Sequence, residues 1–128
     1  MHAVDTNVLL RLLTGDDARQ GARAEHFIRS ASGGWVSHLV LAEAVWVLDS
    51  VYGRTREQLA AAIEQLLNHT LLVFQEPSVV AAALAQFNEH KSVGFSDCLV
   101  LEIARKAGHL PLSTFDKKLG GLEGAHRV

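Results

Sequence analysis

Four acidic residues could do chemistry: Asp5, Glu43, Asp97 and Asp116. Asp5 closes the short apolar stretch from His2, which reads as a first strand. Asp116 follows Ser113-Thr114-Phe115, the end of another predicted strand. Loops at the carboxyl ends of parallel strands are where α/β proteins assemble their sites. Both residues are equally well explained as turn residues or helix N-caps. Asp97 opens Asp97-Cys98-Leu99-Val100-Leu101, where an acid suits the cap of a helix and also lies at the helix end that faces the carboxyl edge of a sheet. Glu43 is the only charge from Leu39 to Leu48. The apolar residues around it nearly cover the helix, which predicts a largely buried helix. A carboxylate there needs a partner or a metal, unless it escapes along a narrow polar stripe or pairs with an arginine.

Gathered at one sheet edge, these acids would repel. A pair about 4 Å apart costs roughly 4 kcal/mol at an effective dielectric of about 20. A hard divalent cation removes that cost, and an all-oxygen donor set favours Mg²⁺ or Mn²⁺ over zinc. Zinc finds no support elsewhere: the seven histidines are scattered, with no His-Glu-x-x-His and no Cys-x-x-Cys. Gly-x-x-x-x-Gly-Lys-Ser/Thr, Gly-x-Gly-x-x-Gly and Gly-x-Ser-x-Gly are all missing, so nucleotide-binding loops and a nucleophile elbow are not expected. Lys117 and Lys118 follow Asp116 directly and read as solvated charge, or as phosphate contacts if the acids form a site. Asn7 and Arg11, four apart, share a helix face near Asp5.

The elements that must position these residues follow from local signals. Asn7 to Leu13 looks helical, and Thr14-Gly15-Asp16-Asp17 breaks the pattern. Asp17 with Gln20 resembles a capping box opening a helix to about Ser30. Gly33-Gly34 is a turn, Trp35 to Ser37 a second strand, and Leu39 to Tyr52 an apolar helix closed by Gly53. Thr55 and Gln58 form another capping box, for a helix reaching about Asn68. Leu71 to Phe74 is a third strand, and Pro77 suits the first turn of a helix to about His90. Ser96 or Asp97 caps one more helix, which Gly108 ends. Leu110 to Thr114 is a fourth strand, and Ala125 to Val128 a final short one. Strands alternating with helices imply an α/β fold with a mostly parallel sheet. Several strands are followed by two helices, so some helices are expected to lie across an end of the sheet.

At 128 residues, residues 1–128 are expected to form one domain. Hydrophobic residues make up 48% and charged residues 20%, enough for a real core. The net charge of −2 gives no global basic field, so contact with nucleic acid would need a local patch or a bound cation. The single cysteine, Cys98, suits a reducing cytosol and reads as a small buried hydrophobe. No apolar run reaches the ~18 residues of a membrane span, and no secretory signal is visible.

The motifs carrying the four acids also form a recognisable set. Val4-Asp5-Thr6-Asn7-Val8-Leu9-Leu10 resembles the opening of PIN domains, and Leu41-Ala42-Glu43, Phe95-Ser96-Asp97-Cys98-Leu99 and Ser113-Thr114-Phe115-Asp116 are similar to their later motifs in order and spacing. The likeness spans the chain and points to VapC-type toxins of toxin–antitoxin pairs, with Asn7 to Asp17 toxin-like as well. His2 in the first strand, and Ser96 and Cys98 around Asp97, depart from the usual pattern without removing a carboxylate. The resemblance implies a PIN-like fold, with a mostly parallel sheet of about five strands flanked by helices. It implies a cytoplasmic, metal-dependent endoribonuclease that forms a homodimer and is inhibited by an antitoxin chain. Asp5 and Asp97 would be the main Mg²⁺ or Mn²⁺ ligands, with Glu43 and Asp116 completing the site directly or through water. Asn7 and Thr114 would orient carboxylates or waters by hydrogen bonds. Two other readings stay open. One is a dehalogenase-like phosphatase with Asp5 as nucleophile, weakened by asparagine at position 7. The other is a non-catalytic protein-binding module whose acids are caps and salt bridges.

Overall fold

Short strands feeding paired helices make up the chain, which a computed structural model describes over residues 1–128. Two units are distinguished, Met1–Pro77 and Ser78–Val128.

In the first unit, β1 (His2–Ala3), β2 (Gly34–Val36) and β3 (Leu72–Phe74) form a parallel ladder in that order. Each connection carries two helices: α1 (Thr6–Leu13) and α2 (Ala18–Ser30), then α3 (His38–Ser50) and α4 (Arg56–Leu67). Helix starts follow the sequence cues. Asp5 caps α1 by accepting from the Val8 amide, Ser37 caps α3 through Val40, and Thr55 with Gln58 closes a full capping box on α4. Asp17 caps α2, but Gln20 does not return the bond, because its Oε1 accepts from Arg11 Nε at 2.6 Å. Entry into β2 needs glycine. Gly33 has φ +114°, and a Cβ there would meet the Leu71 carbonyl oxygen at 2.8 Å. Leu9, Ile28, Val36, Leu41 and Ile63 fill the core.

In the second unit, α6 (Phe95–Ala107) leads into β4 (Leu112–Thr114), which pairs in parallel with β5 (Ala125–Arg127) across a 3-10 turn at Leu119–Gly121. α5 (Pro77–Glu89) begins at the proline, as expected. Val80, Ala83, Cys98 and Leu101 are fully buried, and Phe87 and Phe95 meet edge to face at 5.9 Å. The five expected strands are present and parallel, but as a ladder of three and a ladder of two.

Two expectations are corrected. Neither Ser96 nor Asp97 caps α6: the helix starts at Phe95, with Gly94 as N-cap and no side-chain cap bond. α3 is not wrapped on all sides. His38, Leu41, Ala44, Val45 and Leu48 are buried, but Leu39 and Trp46 are 70% and 64% exposed, and Glu43 shares that outer stripe. Residues 39, 43 and 46 recur at helical spacing, so apolar composition all round did not mean burial all round.

Candidate active site

The parallel register of β1 and β2 sets both carboxyl ends at the same edge of the ladder. Asp5 lies just beyond one, and α3 rises from the other. That placement lets Thr6, the first residue of α1, donate its hydroxyl to Glu43 Oε2 at 2.7 Å. Asp5 and Glu43 are thus tied to one place through Thr6. Glu43 is exposed rather than buried, so the cost of burial is not what gives it a partner. Asp5 does cap, through Oδ1 at 3.1 Å from Val8 N, which leaves Oδ2 outside the capping bond.

The second unit brings another pair together. Asp97 is in the first turn of α6, half-buried and not needed as a cap. Its carboxyl is pushed above the ordinary aspartate range, first by burial and then by the negative charge of Asp116. Asp116 is exposed and rigidly placed: Oδ1 accepts from the amides of Lys118 and Leu119 at 2.8 and 2.9 Å. Its own amide donates to Thr114 Oγ1 at 3.0 Å. Thr114 therefore fixes the Asp116 backbone. Asn7 instead lines an open groove of about 410 Å³ with Val8, Arg11, Gln20, Arg23 and Phe27.

The four acids come as two pairs, and no three His, Cys, Asp or Glu side chains stand as a ready metal cage. The donor set still suits a hard cation. It is oxygen only, Asp5 and Asp116 each accept backbone amides through Oδ1 and leave Oδ2 outside those bonds, and Asp97 and Asp116 repel at a half-buried position, which a cation would relieve.

The PIN domain family model matches residues 3–124. The chain belongs to the PIN domain family. A VapC ribonuclease from Aquifex aeolicus (strain VF5) is 28% identical over 126 residues, spanning 94% of this chain and 93% of its own length. A crystal structure of the Mycobacterium tuberculosis toxin VapC20, described as cleaving the sarcin-ricin loop, is 20% identical over 98% of this chain and 97% of that one, with a TM-score of 0.44.

Sequence reasoning missed three residues of this PIN domain. Thr6, beside Asp5 in its motif, was readable only as part of the resemblance, although a hydroxyl next to a strand-end acid is a signal. Glu102 is 6% exposed on α6, where it accepts from Arg105 Nε and Gln86 Nε2, both at 3.1 Å. Arg105 also donates to the Glu123 carbonyl at 2.8 Å, and so ties α6 to the segment entering β5. The i, i+3 spacing of Glu102 and Arg105 was visible in the sequence; the burial was not.

Proposed function

We propose that this PIN domain, taken as residues 1–128, is an Mg²⁺- or Mn²⁺-dependent endoribonuclease that hydrolyses RNA phosphodiester bonds as the toxin of a toxin–antitoxin pair. The observation that carries the reading is the Asp97–Asp116 pair. Asp97 is excused from capping, half-buried, and held against a second acid at a cost in charge repulsion. Such cost concentrates at functional sites. The name of the Aquifex relative, VapC ribonuclease, supports RNA as the substrate, and the likeness of Asn7 to Asp17 to VapC-type toxins supports the toxin role.

Asp5 and Asp97 would hold the cation, with Glu43 and Asp116 completing its shell directly or through water. When bound, the cation supplies positive charge against the phosphate oxygens and activates water. The chain's residues do the rest. Thr6 fixes the Glu43 carboxylate, which otherwise turns freely on an exposed helix face. Thr114 and the amides of Lys118 and Leu119 hold Asp116 on both sides. Asn7 would orient a carboxylate or a water. A homodimer, a cognate antitoxin and a cytoplasmic location belong to the same proposal. No helix is long and apolar enough to cross a membrane.

Purified protein incubated with RNA, in chelator and after Mg²⁺ or Mn²⁺ is restored, tests the reading. Cleavage should appear only with metal and vanish in Asp5→Asn and Asp97→Asn. Undiminished cleavage in excess chelator would overturn it.

A further inference from the structure

Phe115 is 84% exposed, the most exposed large hydrophobic side chain of the chain, and it sits immediately before Asp116. Isolated exposed apolar residues are ordinary on protein surfaces. Three features set this one apart. Its backbone is locked on both sides: the Thr114 carbonyl accepts from Val128 N at 2.9 Å, and the Asp116 amide is held by Thr114 Oγ1 at 3.0 Å. The point from which the ring projects is therefore held by the end of the β4–β5 ladder. Asp116 is in turn clamped by the amides of Lys118 and Leu119, so the carboxylate next to the ring is held in place. Finally, Lys117 and Lys118 are both exposed and cationic in a chain whose net charge is −2.

A solvent-facing ring on a held backbone, next in sequence to exposed cations, is a combination that binds single-stranded nucleic acid: the ring offers a stacking face and the cations meet phosphates. Resting on the nuclease reading above, we infer that Phe115 stacks on an unpaired base of the RNA, with Lys117 and Lys118 meeting the backbone beside it, and so seats the strand against Asp116. The substrate class is then RNA with an unpaired base at the cleavage point. The charge complementarity of the two lysines selects a polyanion over an apolar partner surface. Stacking needs no particular base edge, so Phe115 contributes affinity and placement rather than a sequence preference.

The test has two parts. Steady-state cleavage of single-stranded RNA by wild type, Phe115→Ala and Phe115→Trp should place the loss in KM, about tenfold for alanine, with tryptophan close to wild type. Binding of a short fluorescein-labelled single-stranded RNA is then measured by anisotropy in an Asp97→Asn background, so that the probe survives. Adding Phe115→Ala should weaken binding similarly with little change in salt dependence. Replacing both lysines by alanine should flatten the salt dependence, by about 0.7 in log–log slope for each phosphate they neutralise. An abasic version of the probe should bind equally well whether or not Phe115→Ala is present. Unchanged KM and affinity in Phe115→Ala, or a change only in oligomeric mass, would overturn the inference while leaving the nuclease reading intact. Failure of the wild type to bind or cut RNA would overturn both.

Discussion

At the scale of single residues, Asp97 carries a charge at the start of α6 that the helix does not need as a cap. Because Gly94 caps α6, asparagine at position 97 removes a charge without removing a cap. In the metal-free protein it also removes the repulsion with Asp116. Asp97→Asn should therefore abolish cleavage yet stabilise the metal-free chain, by no more than about 1 kcal/mol given solvent screening at a half-buried site. The pH dependence has a definite sign. The folded pKa of Asp97 lies above its unfolded value, so the native state binds more protons between the two, and stability falls as pH rises through that window. In chelator, the wild type should gain on the variant as pH is lowered from neutral through the raised pKa, and melting curves over that range check it. Thr6 acts differently. Thr6→Val removes the bond that fixes Glu43, and on an exposed face this should cost about 1 kcal/mol or less of stability while lowering activity or metal affinity roughly 10–100-fold. Thr6→Ser should restore much of it. An undiminished rate in Thr6→Val would show that Glu43 needs no such support.

At the scale of elements, caps and breakers were the legible part. Thr55–Gln58, Asp17, Pro77 and Gly108 all do what their types and positions announce, with Gly108 at φ +83° as the left-handed C-cap. What failed was inference from composition to burial. α3 looked uniformly apolar, and Glu43 therefore looked stranded, whereas Leu39, Glu43 and Trp46 share an outward stripe. The residue was singled out for the wrong reason. Conversely, nothing in the sequence marks Glu102 as buried, since an i, i+3 acid–base pair on a helix is ordinarily solvated. That burial makes a prediction. Arg105→Ala leaves Glu102 with only the Gln86 amide and frees the Glu123 carbonyl. It should cost about 2 kcal/mol, well above the roughly 0–1 kcal/mol of an exposed pair. At this chain length that is a melting shift of several degrees. A loss within about 0.5 kcal/mol, roughly what a neutral surface substitution gives, would mean the pair is effectively solvated.

At the scale of the whole molecule, the alternation of strands and helices announced the α/β class, and the doubling of helices between strands was already readable from turn signals. The pairing of the strands was not: ladders of three and two are set by register between distant segments, which local patterns do not encode. Convergence of the acids is likewise a long-range property. Two pairs are each explained within one unit, by the shared edge of β1 and β2 and by the charge of Asp116, just after β4, acting on Asp97 at the start of α6. The proposed nuclease depends on Asp5 and Asp97, one from each pair, serving one cation. Titration of Mn²⁺ into wild type, Asp5→Asn and Asp97→Asn, followed by calorimetry and by the metal-induced rise in melting temperature, puts that dependence to the test. Binding to the native state raises stability by mass action. A clear rise is expected for the wild type, with loss of most of that rise, and of the binding heat, in both variants, each of which stays folded. Full Mn²⁺ binding and stabilisation in either variant would contradict a shared cation.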